Sequence, residues 1–387
     1  MTRLFTGARI FDGETLRPGD LLVAEGRIAA LLPPGSAGQG AEVVRLDGGI
    51  LAPGFVDLQV NGGGGLLLNA RPEVATVARM ARAHAGLGAL TILPTLITDT
   101  PDITRRAVAA VAEAVEKGIP GIAGLHLEGP HLSLARKGAH DPALIRPMTE
   151  ADLEFLLSAA ARLPRLMVTL APENVTMDKI ARLAQAGIIV ALGHTDCSYA
   201  TARAAVAAGA RVATHLFNAM SPLGNREPGL VGAVLADGGL SAGLIADAVH
   251  VHPAAMRLAL AAKAGPGEIF LVSDAMAPAG TDLAEFTLNG RRIRRAAGRL
   301  TLDDGTLAGA DLDLARALRV LSTIGVPLAR SLAMATLAPA RVLGRADRMG
   351  RLAAGRAADM VHLSDTLDLR AVWQGGAKVA LAPVCGV

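Results

Sequence analysis

Eight apolar, β-rich runs alternate with Ala-rich segments along most of this chain, and that alternation narrows its possible folds more than any other feature. The runs cover residues 55–60, 89–94, 122–128, 166–171, 188–193, 212–215, 242–247 and 269–274. Most are followed by segments of helical periodicity, such as residues 176–186 and 199–208. Strand–helix alternation implies βαβ units and parallel strands. Eight such units in about 300 residues have the size of a (β/α)8 barrel. The competing fold, an open doubly wound sheet, predicts a Gly-rich phosphate turn after the first strand. Asn61 to Gly65 is Gly-rich but lacks the G-x-G-x-x-G spacing and the following helix. The reading is therefore an α/β chain with a TIM-type barrel.

The two ends read differently. Short strand-like runs with turn residues fill the first fifty positions, and similar runs return after Gly355. Neither piece has enough strands to stand alone, so the two termini are expected to join into one small β-sandwich. The predicted division is residues 1–52 with 346–387 for the sandwich and 53–345 for the barrel.

Composition excludes several classes. Apolar residues make up 51% of the 387 positions, enough for a large core, but aromatics only 2%, so Ala, Val, Leu and Ile must build it. Lys and Arg (38) nearly balance Asp and Glu (35), which argues against a nucleic-acid partner. The pairs Arg105-Arg106 and Arg291-Arg292 read as solvated faces. No apolar run has the length of a membrane span, and residues 1–7 lack the apolar segment of a secretory signal. Two cysteines, Cys197 and Cys385, make no disulfide framework. A cytoplasmic enzyme is the expectation.

Ligand-capable residues fall repeatedly at the ends of the predicted strands. Gln59 and Asn61 close the first run, His126 and Glu128 the third, His194 the fifth, His215 the sixth, and Asp274 the eighth; Asp247 and His250 follow the seventh. In a barrel these ends open onto one face, where catalytic residues gather. Two His and one Glu are enough protein ligands for a catalytic zinc. Glu128, His194 and His215 are the chosen set. Asp274 is read as the carboxylate that takes a proton from water and returns it to a leaving nitrogen, although Asp at such a place can also cap a helix.

Seven motifs carry a resemblance. They are Pro53-Gly54-Phe55-Val56-Asp57, Gly124-Leu125-His126-Leu127-Glu128-Gly129-Pro130, Lys137-Gly138-Ala139-His140, Leu192-Gly193-His194-Thr195, Thr214-His215-Leu216-Phe217-Asn218-Ala219-Met220, Arg226-Glu227-Pro228-Gly229-Leu230 and Ser273-Asp274-Ala275-Met276-Ala277-Pro278-Ala279-Gly280. In this order they resemble the N-acetylglucosamine-6-phosphate deacetylases of the amidohydrolase superfamily. The resemblance implies one divalent metal per subunit, zinc by its ligands, held by Glu128, His194 and His215. It implies Asp274 as general base and then acid, His140 polarising the acetyl carbonyl, and His250 touching substrate. The backbone amides of Asn218 and Ala219 would meet the phosphate of a phosphorylated amino sugar. Arg226 would add a cationic contact, reaching the neighbour's site in a homodimer. Many amidohydrolases carry His-x-His at the first strand end; here Gln59-Val60-Asn61 stands there, as a vestigial second-metal position. The galactosamine epimer of the substrate and other amide hydrolyses are the rival readings.

The remaining histidines have plainer expectations. His84 belongs to a helix surface or is partly packed. His126 is an interior partner near the metal set, His252 a helix cap, and His362 a residue of the terminal domain. His131 touches sugar or fills a loop.

Overall fold

The computed structural model describes residues 1–38 and 40–383; Cys385 lies outside them. Its centre is a sheet of eight parallel strands lying side by side in chain order. They are Phe55–Val60, Ala89–Ile97, Leu125–Glu128, Leu166–Leu170, Ile189–Leu192, Val212–Ala213, Ser241–Leu244 and Ile269–Leu271. Parallel strands covered on both faces need continuous apolar runs rather than alternation. Phe55–Val60 and Leu166–Leu170 are buried at every position. The first and last strands meet: Val60 bridges Ala275 in parallel, and Asp274 N donates to Gln59 O at 3.0 Å. The sheet is thus closed into a barrel, as the alternation predicts.

Helices begin where the sequence offers caps. Thr100 accepts from Ile103 N ahead of Pro101–Glu116, Thr176 from Lys179 N ahead of Met177–Gln185, and Ser198 from Thr201 N ahead of Tyr199–Ala207. Thr149 and Asp152 form a reciprocal capping box at Glu150–Arg162. His252 caps Pro253–Ala262 by accepting from Ala254 N, as expected. The faces turned to the sheet are rich in Ala, whose small side chain lets helix and strand approach closely. Among the described residues no helix is long and apolar enough to cross a membrane.

The runs at 242–247 and 269–274 overshoot. The chain leaves the sheet at Leu244 and Leu271, and the last residues of each run turn into loops above the barrel. His194, His215 and Asp274 sit just past the ends of their own strands with φ of +47°, +30° and +51°. Positive φ in a non-glycine residue costs backbone energy and concentrates at functional sites.

Both termini build two further sheets. One orders Arg27–Leu32, Asp20–Ala24, Thr2–Thr6 and Glu42–Arg45. In the other, Met360–Leu363 from the C-terminal part pairs antiparallel with Ile50–Pro53. A small core of Phe5, Leu21, Ile28, Leu51, Met360 and Trp373 joins them. The Phe5 and Trp373 rings meet edge-on at 5.0 Å. The strand Ile50–Pro53 then carries the chain directly into the barrel.

One element escaped the sequence reading. Glu285–Leu288, Arg291–Ala296, Arg299–Leu302 and Leu307–Ala310 form an antiparallel sheet after the eighth barrel strand. Its first two hairpins turn at Asn289-Gly290 (φ +48° and +75°) and Ala297-Gly298 (φ +48° and +69°). Asn-Gly is a strong hairpin signal and was legible. Leu288, Ile293, Leu300 and Ala308 pack onto Leu67, Ile97 and Met276 at the barrel mouth. Arg291 is therefore not simply solvated: its guanidinium donates to Ala139 O. Arg292 does face solvent, 3.7 Å from Asp303.

His84 is the other correction. It is buried, because its helix Val74–Gly86 turns it toward the barrel, and its Nε2 lies 2.8 Å from Gly62 O.

Candidate metal centre

Glu128, His194 and His215 come from three different strand ends and converge. Glu128 Oε1 lies 3.1 Å from His194 Nε2 and 3.0 Å from His215 Nε2, and the two Nε2 atoms are 3.1 Å apart. All three residues are buried. His194 Nδ1 lies 2.8 Å from Arg136 O, which can only accept, so Nδ1 carries the proton and the neutral ring aims a bare Nε2 at the cluster. Three lone-pair atoms facing one another repel unless a cation lies between them. A tetrahedral metal at about 2.0–2.1 Å from each ligand would hold them about 3.3 Å apart. The donor set and its spacing therefore fit a divalent metal, and His₂Glu with an open position is a catalytic zinc arrangement.

Asp274 stands beside this cluster, fastened by amides of the first strand end. Asn61 Nδ2 donates to Asp274 Oδ1 at 2.7 Å, and Gln59 Nε2 donates to the same oxygen at 3.1 Å and to Glu128 Oε2 at 3.2 Å. Gln59 and Asn61 thus serve as donors to the two carboxylates. Burial, and then the negative charge of Glu128, push Asp274 up to about 6, in the range of a proton-transfer group working near neutrality.

His140 follows a turn at Gly138 and lies against His194, ring centres 4.3 Å apart. His250 lines the same cleft of about 250 Å³, as do Asn218, Ala219 and Asn61. Leu288 and Thr306 to Gly309 of the unforeseen sheet complete its wall. The insertion therefore shapes the site that the barrel builds.

Two sequence expectations, for the Asn218 amide and for His126, look different here. The Asn218 backbone N–H already donates to His215 O at 2.9 Å, because the chain turns tightly there, whereas the Ala219 N–H has no partner among the described residues. Arg226 is exposed on the loop after Met220 and does not line the cleft of its own chain. His126 lies in the barrel interior, bonded to Leu58 O (3.1 Å) and Thr169 Oγ1 (2.7 Å) rather than to the cluster residues. His131 lines a separate recess with Arg146 and Phe155, its Nδ1 on Arg146 O. Cys197 is buried and free, its thiol pushed up to about 11 by burial.

Residues 50–381 match the model of the amidohydrolase family. An N-acetylgalactosamine-6-phosphate deacetylase of a Shewanella strain is 43% identical over 86% of this chain and 84% of its own. An N-acetylglucosamine-6-phosphate deacetylase of Haemophilus influenzae is 35% identical over 90% of this chain and 91% of its own. Among solved structures, the N-acetylglucosamine-6-phosphate deacetylase of Pasteurella multocida superposes with a TM-score of 0.93 at 31% identity, covering 98% of this chain and 99% of that one. An aspartate-to-alanine variant of the Mycobacterium smegmatis deacetylase, in complex with N-acetyl-D-glucosamine-6-phosphate, superposes with a TM-score of 0.90 at 36% identity, covering 98% of this chain and 99% of that one.

Proposed function

This chain belongs to the amidohydrolase family, and we propose that it hydrolyses the acetamido group of N-acetyl-D-glucosamine 6-phosphate, releasing acetate and glucosamine 6-phosphate. The observation that carries the reading is a buried carboxylate, Asp274, fixed beside the Glu128–His194–His215 cluster in one cleft. Relatives that share the fold along nearly its whole length and are named for this reaction supply the substrate class.

Glu128, His194 and His215 would hold one divalent ion, zinc by the donor set, which when bound supplies Lewis acidity to the cleft. Asp274 removes a proton from the attacking water as its oxygen forms a bond to the acetyl carbon. Charge grows on the carbonyl oxygen, and His140 donates a hydrogen bond to it. Asp274 then delivers the proton to the amide nitrogen as the C–N bond breaks. Asn61 and Gln59 keep the acceptor oxygen of Asp274 in place through both transfers. His250 contacts the sugar, and the free amide of Ala219 meets the phosphate. Arg226 is exposed and does not line its own cleft, which suits a phosphate contact made in the site of a second copy, in a homodimer; a planar guanidinium suits that task. A charged sugar phosphate does not cross membranes unaided, which assigns the enzyme to the cytoplasm.

The galactosamine epimer is the second reading, favoured by the relative at 43% identity. Acetate release should be followed from both epimers and from unphosphorylated N-acetylglucosamine, on metal-stripped protein with and without zinc. Zinc-restored release that is fastest from the glucosamine phosphate is the expected result. Faster release from the galactosamine phosphate would transfer the assignment to that sugar. No release from any of them would end the deacetylase reading.

A further inference from the structure

We infer that Thr98 is a positioning residue that fixes His140 in the tautomer with its proton on Nε2, the nitrogen turned to the cleft. The inference deepens the proposed reaction, in which His140 donates to the acetyl oxygen. Thr98 is the first residue past the second barrel strand and is buried. Two of its groups converge on one ring atom. The backbone N–H of Thr98 points at His140 Nδ1 at 3.4 Å, and Thr98 Oγ1 lies 2.8 Å from the same nitrogen.

A backbone N–H can only donate. An Nδ1 bearing its own proton would set N–H against N–H, so Nδ1 must be the acceptor. The hydroxyl then adds a second, shorter donation. A neutral ring that accepts at Nδ1 carries its one proton at Nε2. Nε2 makes no hydrogen bond among the described residues, and His140 lines the cleft. The ring is therefore loaded as a donor before substrate arrives, which is what stabilising a developing oxyanion requires.

The packing holds the arrangement. His194 lies edge-on against the His140 ring, 4.3 Å between centres. Glu128 O lies 3.4 Å from Thr98 Oγ1 and competes for its one proton, but His140 Nδ1 at 2.8 Å is the nearer acceptor and takes it. Any Cβ at Gly129 would come within 2.2 Å of Thr98 Oγ1, at a φ of +89°, so the neighbouring backbone leaves room for this hydroxyl only because residue 129 is glycine. His194 has the opposite tautomer, proton on Nδ1 toward Arg136 O. Two rings packed edge-on are thus set for opposite tasks, one to accept a cation and one to donate a hydrogen bond.

The test compares Thr98→Val and Thr98→Ser in the zinc-loaded enzyme. Thr98→Val keeps the shape and removes the hydroxyl. It should lower kcat by about tenfold, a fraction of the loss from deleting an oxyanion donor, with KM for the sugar phosphate within threefold. Thr98→Ser restores the hydroxyl and should recover most of the rate. Nitrogen-15 NMR of ring-labelled wild type should show His140 bare at Nδ1 and protonated at Nε2. This readout needs neither turnover nor a variant, so it decides the assignment even if Thr98→Val fails to fold or the substrate is another amide. A proton on Nδ1 in the wild type, or an unchanged kcat in folded Thr98→Val, would overturn it.

Discussion

The His250 ring is fastened to Asp247: Nδ1 lies 2.6 Å from Asp247 Oδ2, while Oδ1 accepts the backbone N–H groups of Val249 and His250 at 2.8 Å. Burial pushes the Asp247 carboxyl up, but the His250 hydrogen bond and the two amides outweigh it and hold it below its usual range. An ionised carboxylate only accepts, so Nδ1 carries a proton and Nε2 is the atom offered to a ligand. Asp247→Asn keeps the two amide bonds through Oδ1 but presents an N–H to Nδ1, which reverses the ring. We expect kcat/KM to fall by about 10–100-fold, mostly through KM, with little change in melting temperature. Steady-state kinetics and a thermal melt check this; unaltered KM would remove His250 from the substrate contacts.

Asp274→Asn tests the proton shuttle. The substitution keeps an oxygen where Asn61 and Gln59 donate, so the cleft should hold its shape and its metal content. Loss of the general base and acid is expected to cut turnover by about 10²–10⁴-fold. Metal analysis and single-turnover acetate release are the measurements, and near-normal turnover would move the role elsewhere.

Much of this site could be read from the sequence because a barrel gathers strand ends. Glu128, His194 and His215 are far apart in the chain and obey no local spacing, yet each ends an apolar run, and the fold does the rest. What escaped was local geometry that apolar periodicity does not encode. The Arg-rich strand Arg291–Ala296 of the four-stranded insertion has one buried apolar residue, Ile293, and reads as a charged surface until Asn289-Gly290 is weighed as a turn. The burial of His84 depends on which helix face meets the Gly62–Gly65 loop. The engagement of the Asn218 amide depends on a four-residue turn from His215 to Asn218. The Arg226 expectation rests on resemblance, and periodicity carries no information about it.

Metal removal should affect stability as well as rate. Without a cation, Glu128 Oε1 and the two Nε2 atoms lie within 3.1 Å of one another in a buried pocket. A cation that binds only the folded state stabilises it by about 2.7 kcal/mol at a hundred times its dissociation constant. Chelator-treated protein should therefore melt lower and release no acetate, with both properties restored by zinc. His194→Asn and Glu128→Gln should blunt the zinc-induced rise in melting temperature. An equal rise in those variants would mean that the ion binds somewhere else.

Asp57 gives a prediction about pH. It lies wholly buried at the seam between first and last strands, where Ser273 N donates to both its oxygens and Gln59 N to one, each at 3.2 Å. Burial outweighs these bonds and pushes its carboxyl up to about 7. A carboxyl whose folded pKa is raised binds a proton more tightly in the folded state. Its stabilising contribution is therefore complete below about 4 and is lost as pH rises toward 7. Asp57→Asn cannot titrate and can still accept from Ser273 and Gln59 through Oδ1. The stability of the wild type relative to Asp57→Asn should fall between pH 4 and 7, by at most about 1.4 kcal/mol per pH unit, and level off above that. Denaturant melts of both proteins across this range measure the difference. A difference that does not change with pH would mean that the Asp57 carboxyl is already ionised at pH 4 and that the backbone amides of Ser273 and Gln59 outweigh its burial.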